Sequence, residues 1–301
     1  PCPRSRSCSP TPNPAPGATP PWPLDHVWIR GPDVASAVGA LEQQRASAVT
    51  LELDSFDGLA DALDHMFRSA NKGYVAVGSD VGGYLDRDDK DTMLSVPFDQ
   101  DNFVRWVAVG GMSPFFQLHG RANLTPWTVK VKPTETVAIY RYWAHLHHEM
   151  VPFWFSLAQE AYAAKRGLLH PIGAEKDWPG DYRYTVGQDI LVAPILDNTG
   201  KRDVPLPAGD AWYDWWKLAG PALAGGQTIK SYDASDQKKI PVFVRRGAII
   251  PAEVQSDVAG LGTKLSRGYL TLLVWPDDKA SSFNLHEDDK TRTTITAQLT
   301  S

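Results

Sequence analysis

Two apolar runs of the chain each end in a side chain that can hydrogen-bond to a ligand. Asp80 follows YVAVGS (74–79) in a glycine-rich turn, and His119 ends the run MSPFFQLH (112–119). A carboxylate accepts hydrogen bonds from paired hydroxyls, and an imidazole can donate one. Because a (β/α) barrel builds its site at the carboxyl ends of its strands, the two residues predict a sugar site. Asp80 has an alternative structural role as the cap of its own turn, and His119 as a satisfied loop histidine.

Two other ligands fit this loop less well. A phosphate loop has spaced glycines that open a helix, whereas Asp80 in the middle of GSDVGG (78–83) would repel a phosphate. Calcium could use the acidic run at 86–91, but an EF-hand counted from Asp80 needs glycine and glutamate where Leu85 and Asp91 stand. We therefore expect no metal and no cofactor, and we interpret the acidic run as a solvated loop.

The elements that would position Asp80 and His119 alternate between helix and strand. Residues 56–71 have apolar side chains at helical spacing, and Asn71-Lys72-Gly73 predicts the end of that helix. YVAV (74–77) then predicts a short strand. Helix, strand and glycine loop together form one unit of an α/β fold.

Two further helical regions follow. Residues 100–109 predict a helix that ends at Gly110-Gly111, before a strand and loop at 111–119. The longest helical stretch is 134–167, in which Pro152 should begin or kink a second helix and Gly167 should end it.

After about residue 185 the pattern is all-β. Short apolar runs separated by Gly, Pro and Asp predict a β-sandwich: DILVAPIL, RDVPLPAG, AWYDWW, TIKSY, IPVFVRRGAIIP and YLTLLVWP. The tryptophans of AWYDWW (Trp212, Trp215 and Trp216) are expected to be structural rather than a sugar platform, and Glu287-Asp288-Asp289 is expected to be a turn.

Composition excludes several classes of protein. The 301 residues have a net charge of −5 and a pI near 5.9, whereas a nucleic-acid surface is expected to be basic. No apolar run approaches the roughly 20 residues that span a bilayer. No secretory signal is visible, so the compartment stays open. Cys2 and Cys8, the two cysteines, imply no disulfide framework.

The first 55 residues differ in character from the rest. Residues 1–24 are proline-rich and predict disorder. Residues 33–49 could form a helix, although their apolar period is poor. We therefore expect residues 1–55 to be disordered or to arise from a mis-called reading frame of GC-rich coding sequence.

Eight strings from residue 56 to about residue 293 together resemble glycoside hydrolase family 31, the α-glucosidase and α-xylosidase family. They occur in family order and spacing: GSDVGGY, RWVAVGGMSPFFQLHG, TPW, VPFWFSLAQEAY, GQDILVAPIL, VPLPAGDAWYDWW, IPVFVRRGAIIP and FNLHEDD. The resemblance implies an α/β plus all-β chain: the C-terminal part of a (β/α)8 barrel, followed by proximal and distal β-sandwich domains. It places the barrel part at 56–175, the proximal sandwich at 176–255 and the start of the distal sandwich at 256–301.

The resemblance also implies roles for individual residues. Asp80 and His119 would bind hydroxyls of the sugar in the −1 subsite, and Trp106 and Phe115 would help to wall the pocket. Gln117 stands where many members of the family have an arginine, which leaves the sugar open.

The two catalytic carboxylates of the family are not found by the same comparison. Retaining members use an aspartate nucleophile and an acid/base aspartate. The nucleophile motif, Trp-x-Asp-Met-Asn-Glu in type, does not occur here, and family spacing puts Leu51 at the acid/base position. Asp54 is a nearby carboxylate at a different spacing and is the candidate acid.

The sequence therefore predicts the C-terminal portion of a retaining α-glycosidase that hydrolyses a terminal α-linked glucose or similar sugar. An oligosaccharide or glycoside is the expected partner, without nucleic acid, and the oligomeric state stays open. The chain alone is expected to be poorly soluble and catalytically inactive, since it would expose strand edges. The alternatives are a non-catalytic carbohydrate-binding module and a pseudo-enzyme fragment.

Overall fold

The computed structural model describes residues 55–83, 98–119, 125–217 and 220–299, and the backbone of two short strands. These strands, β1 (Val27–Trp28) and β2 (Val49–Thr50), pair in parallel within a unit of residues 1–51. The expected disorder of 1–24, the possible helix before Val49, the candidate acid Asp54 and the acidic run at 86–91 lie outside the described residues. All elements below belong to the unit of residues 52–301.

Helix α1 (Phe56–Asn71) confirms the helix predicted from apolar spacing. It begins where the Ser55 hydroxyl accepts a hydrogen bond from the Gly58 amide at 3.0 Å, which satisfies one of the free donors of the first turn. Asp57 in that turn lies favourably against the positive end of the helix dipole. The large side chains of its buried face are Leu59, Leu63, Met66 and Phe67, which lie at helical spacing.

Helix α2 (Gln100–Gly111) begins at Asp99, whose carboxylate accepts hydrogen bonds from the Asp101 and Asn102 amides. The predicted end of this helix at Gly110-Gly111 is confirmed, and both glycines belong to its last turn. Almost every residue of α2 is buried, so packing outweighs the low helical propensity of glycine.

The long helical stretch divides at Pro152, as predicted. Helix α3 (Pro133–Glu149) and helix α4 (Val151–Ala164) are separated by Met150, and Pro152 lies in the first turn of α4, where no backbone donor is needed. The prediction that Gly167 ends this stretch is wrong, because α4 ends at Ala164 and Lys165 takes the left-handed conformation. Gly167 serves another purpose: a Cβ there would lie 2.8 Å from Ala70 at the end of α1.

The all-β prediction after residue 185 is confirmed, and the strands begin slightly earlier. The largest sheet has six antiparallel strands in the order β3, β4, β5, β10, β7, β8. Their bounds are β3 (Leu169–Pro171), β4 (Tyr184–Val186), β5 (Ile190–Val192), β7 (Ala211–Asp214), β8 (Leu223–Ala224) and β10 (Val242–Arg245).

Three antiparallel pairs complete the described strands. They are β6 (Lys201–Pro205) with β9 (Thr228–Asp233), β11 (Ile249–Ala252) with β12 (Thr271–Val274), and β13 (Ser281–His286) with β14 (Arg292–Ala297). The residues Glu287-Asp288-Asp289 form the predicted turn between β13 and β14.

The helices and the six-stranded sheet share one hydrophobic core. Phe67 of α1 packs edge-on against Trp178 at 5.3 Å and Tyr184 at 5.6 Å between ring centroids. The Tyr184 hydroxyl donates to the Met112 carbonyl at 3.1 Å, just after α2. Within the described ranges, no helix is long and apolar enough to cross a membrane.

Candidate functional site

The two segments predicted as neighbouring barrel strands lie side by side in parallel, but they are not regular strands. Asp80 and Gln117 form an isolated parallel bridge, and the Val81 amide donates to the Gln117 carbonyl at 3.1 Å. The prediction of a strand at 74–77 is therefore wrong, and only this bridge is present of the strand predicted at 111–119. Within the part of the chain that the structure describes, the two segments share too few backbone bonds to build a ladder.

Close approach at Gly78 allows the two segments to meet. A Cβ at Gly78 would lie far inside van der Waals contact of the Phe115 carbonyl oxygen. Glycine is therefore required two residues before Asp80, at the point where the chain must pass the second segment. The Gly83 amide then donates to the Asp80 carbonyl at 2.9 Å, which closes the turn after the carboxylate.

The Asp80 carboxylate is buried between the two segments, with 3% of the residue exposed. Its Oδ1 accepts a hydrogen bond from Gln117 Nε2, and its Oδ2 lies 3.5 Å from His119 Nδ1. The His119 side chain is 56% exposed, so the pair leads from the buried carboxylate to the solvent. The structure thus brings the predicted residues Asp80 and His119 together.

Trp106 and Phe115, the two aromatic residues predicted beside this loop, differ in their exposure to solvent. Trp106 is fully buried, and its indole Nε1 donates to the Ser79 hydroxyl at 2.8 Å. Trp106 therefore supports the residue before Asp80 from behind. Phe115 is 48% exposed, so its ring presents an apolar face next to the site.

Sequence reasoning missed two contacts that shape the site. The amide of Gln117 donates to the very carboxylate that was predicted to bind sugar, and Ser79 ties the loop to Trp106. Gly78 and Asp80 in one short motif are a visible signal for a tight turn. The partners of that turn lie 37 and 27 residues away in the chain, and local pattern cannot reveal them.

The described fold thus places a buried carboxylate and an exposed histidine on two paired segments that precede the antiparallel β-sheets. Comparison with protein families identifies the class of protein. The Glycosyl hydrolases family 31 TIM-barrel domain matches residues 45–157, and the Glycosyl hydrolase family 31 C-terminal domain matches residues 154–250. The chain belongs to glycoside hydrolase family 31, which confirms the predicted family and fold class.

Individual relatives agree with this assignment. A 1,6-α-glucosyltransferase from Sporosarcina globispora is 28% identical over 247 residues, covering 77% of this chain and 18% of the relative. An α-glucosidase from Saccharolobus solfataricus is 28% identical over 211 residues, covering 66% of this chain and 28% of the relative. This chain thus spans about a fifth to a quarter of the length of such relatives.

A solved structure shows the same fold. The cycloalternan-forming enzyme from Listeria monocytogenes, in complex with a pentasaccharide substrate, superposes with a TM-score of 0.67 at 21% identity. The match covers 84% of this chain and 25% of that enzyme. The described helices and sheets therefore follow the family architecture.

Proposed function

We propose that Asp80, His119, Trp106 and Phe115 form part of the −1 sugar subsite of a retaining α-glycosidase that acts on a terminal α-linked glucose or similar sugar. The observation that carries the proposal is the buried Asp80 carboxylate beside His119 at the ends of two paired parallel segments. Burial makes a carboxylate a strong acceptor for hydroxyls, because hydrogen bonds to a charged group gain strength where water is excluded.

Each proposed residue has a role that its surroundings support. Gln117 holds one oxygen of Asp80, so the orientation of the carboxylate is fixed before a sugar arrives. His119 lies toward the solvent and can donate to a second hydroxyl. Phe115 offers an apolar ring face against which the apolar face of a sugar can pack, and Trp106 positions the loop through Ser79.

The proposed reaction proceeds by two displacements at the anomeric carbon. A carboxylate attacks while a second carboxyl group protonates the leaving oxygen, and water then hydrolyses the glycosyl-enzyme intermediate. Hydrogen bonds to the sugar hydroxyls strengthen as positive charge develops on the ring, which is where Asp80 would contribute. Asp54 remains the candidate acid, and the nucleophile is not assigned to a residue of this chain. This route needs only two carboxylates and no cofactor.

We also propose the domain division at 56–175, 176–255 and 256–301. The helices α1 to α4 end at residue 164, and every regular strand described after them lies at residue 169 or beyond. The position of this change from helices to strands supports a barrel part that precedes the sandwich parts.

Binding of sugars to the purified chain tests the subsite. We expect glucose or isomaltotriose to bind, and Asp80→Asn to weaken that binding about tenfold, because a neutral amide loses roughly 1.5 kcal/mol of charge-assisted hydrogen bonding. Asp289→Asn is the matched control, since Asp289 lies in the exposed turn after β13. Calorimetric titrations with equal affinities for the native chain and Asp80→Asn would contradict the assignment of Asp80.

Turnover separates hydrolysis from binding alone. Release of p-nitrophenol from its α-glucoside and α-xyloside would identify the sugar, and loss of release in Asp54→Asn would assign the acid. Sugar binding that depends on Asp80, without any turnover by the purified chain, would favour the non-catalytic binding alternative for this chain.

A further inference from the structure

A cavity lies beside the six-stranded sheet and β12, and none of its lining residues belongs to the loop of Asp80. Its volume is about 660 Å³, within the range of small-molecule pockets. Tryptophans form one wall, in which Trp215 stacks on Trp275 with ring centroids 6.0 Å apart and Trp216 stands beside them. The lining also includes residues of strand β12, where the side chains of Leu272 and Val274 are both 40% exposed.

The lining of this cavity includes one cationic side chain, that of Lys238. The Lys238 ammonium lies 4.9 Å from the ring centroid of Tyr142 and 5.9 Å from that of Trp216. Attraction to the two ring faces holds the charge at the wall of the cavity. The backbone of Lys238 is fixed as well, because its carbonyl accepts a hydrogen bond from the Trp143 indole at 3.0 Å.

The neighbouring lysine shows what is unusual about Lys238. Lys239 Nζ lies 5.9 Å from the Trp216 ring centroid as well, but it is also 3.4 Å from the Asp236 carboxylate, so its charge is paired. No carboxylate of the described residues forms such a pair with Lys238, and none belongs to the lining of the cavity. Two of the three tryptophan donors of the lining are engaged, Trp216 with the Ile240 carbonyl at 2.7 Å and Trp215 with the Tyr142 hydroxyl at 3.4 Å.

We propose that this cavity binds a small organic anion with a flat apolar body, such as an aryl carboxylate or sulfonate. Its charged group pairs with Lys238, and its ring system packs against the aromatic and aliphatic side chains of the lining. The apolar part of the lining favours burial of a ring system, and the Lys238 ammonium favours a negative charge at one edge of it.

A pair of naphthalene dyes that differ in charge tests the proposal. The probes are 1-anilinonaphthalene-8-sulfonate, an anion, and N-phenyl-1-naphthylamine, its neutral counterpart, each titrated against the full chain by fluorescence. We expect Lys238→Met to weaken binding of the sulfonate about tenfold and to leave the neutral dye within about twofold, because only the sulfonate loses a charge partner.

Two further variants keep the test specific. Lys230→Met removes an equal charge from an exposed lysine that pairs with Asp203 and does not line the cavity, and it should change neither dye by more than about twofold. Leu272→Asp adds a carboxylate to an exposed position of the cavity wall and should weaken the sulfonate at least as much as Lys238→Met. Circular dichroism of each variant establishes that the fold is retained.

Several results would overturn the proposal. Equal loss of sulfonate binding in Lys238→Met and Lys230→Met would show a general positive potential instead of a site. Equal weakening of both dyes would show that Lys238 contributes packing only. Displacement of the sulfonate by isomaltotriose to the same extent in the native chain and in Lys238→Met would show a saccharide cleft.

Discussion

Replacing Glu149 with alanine is expected to lower the free energy of unfolding by about 3–4 kcal/mol. Glu149 is the last residue of α3 and is fully buried. Its Oε1 accepts hydrogen bonds from the amides of Gln255 at 3.0 Å and Ser256 at 3.1 Å. Alanine leaves both partly buried amides without this acceptor, and an unsatisfied donor shielded from water costs about 1–3 kcal/mol.

Urea denaturation measures the change in stability, and amide hydrogen exchange locates it. In Glu149→Ala the amides of Gln255 and Ser256 should exchange much faster, while amides in the six-stranded sheet should change only through global stability. Glu149→Gln keeps an oxygen acceptor and should recover most of the loss, apart from about 1 kcal/mol for the charge.

Glu253→Ala provides the matched control for this measurement. Glu253 lies at an exposed position in the same segment, and its carboxylate accepts a hydrogen bond from the Gln255 side chain. We expect this variant to change stability by no more than about 0.5 kcal/mol. A loss below about 1 kcal/mol in Glu149→Ala, or an equal loss in Glu253→Ala, would refute the reasoning that the two amides depend on Glu149.

Two other predictions concern Glu160 and Gly78. A hydrogen bond from His286 lowers the pKa of Glu160 from its usual 4.5, and Arg292 lowers it further. The pair of Glu160 and His286 contributes about 0.5–1 kcal/mol to the free energy of unfolding. This contribution is complete above pH 4.5 and is lost as pH falls through the lowered pKa of Glu160. The stabilities of the native chain and Glu160→Gln, measured by urea denaturation, should therefore converge at low pH. Gly78→Ala should separate the segments that meet at Phe115, lower stability by about 1–3 kcal/mol and weaken sugar binding in the titrations described above.

Each of these two predictions has its own control. A constant difference between Glu160→Gln and the native chain from pH 7 to pH 3 would contradict the role of ionised Glu160. Gly209→Ala places a Cβ where no atom lies within 4 Å, so it should cost only the strain of a left-handed residue, about 1–2 kcal/mol, and should leave sugar affinity unchanged. Equal sugar affinities of Gly78→Ala and the native chain would show that the approach at Phe115 does not matter for the site.

Elements with a strong local signal could be predicted from the sequence. The apolar spacing of α1, the proline at the start of α4 and the β-rich runs after residue 185 all reflect short-range chemistry. The predicted strand at 74–77 shows the limit of this reasoning, because an apolar run becomes a strand only where a neighbour completes its backbone bonds. The positions of Asp80 and His119 at the ends of two apolar runs suggested a shared site, and the family resemblance supplied their individual roles.

Contacts between distant residues were beyond the reach of sequence patterns. Glu149 and Gln255 are 106 residues apart, and neither lies in a motif that signals a buried carboxylate. The donor of Asp80, Gln117, attracted notice only because it differs from the arginine common in the family. Burial decides the energetic weight of such polar residues, and burial is a property of the complete fold.

The packing of Phe67 limits how this chain can be divided or recombined. Its ring is part of α1, yet it contacts Trp178, which precedes β4, and Tyr184, which is in β4. Gly167 leaves room for the end of α1. A hybrid that joins this helix to the sheet of another family member would bring together rings that did not evolve as neighbours. Such a hybrid should therefore fold stably only when Phe67, Trp178 and Tyr184 are transferred together.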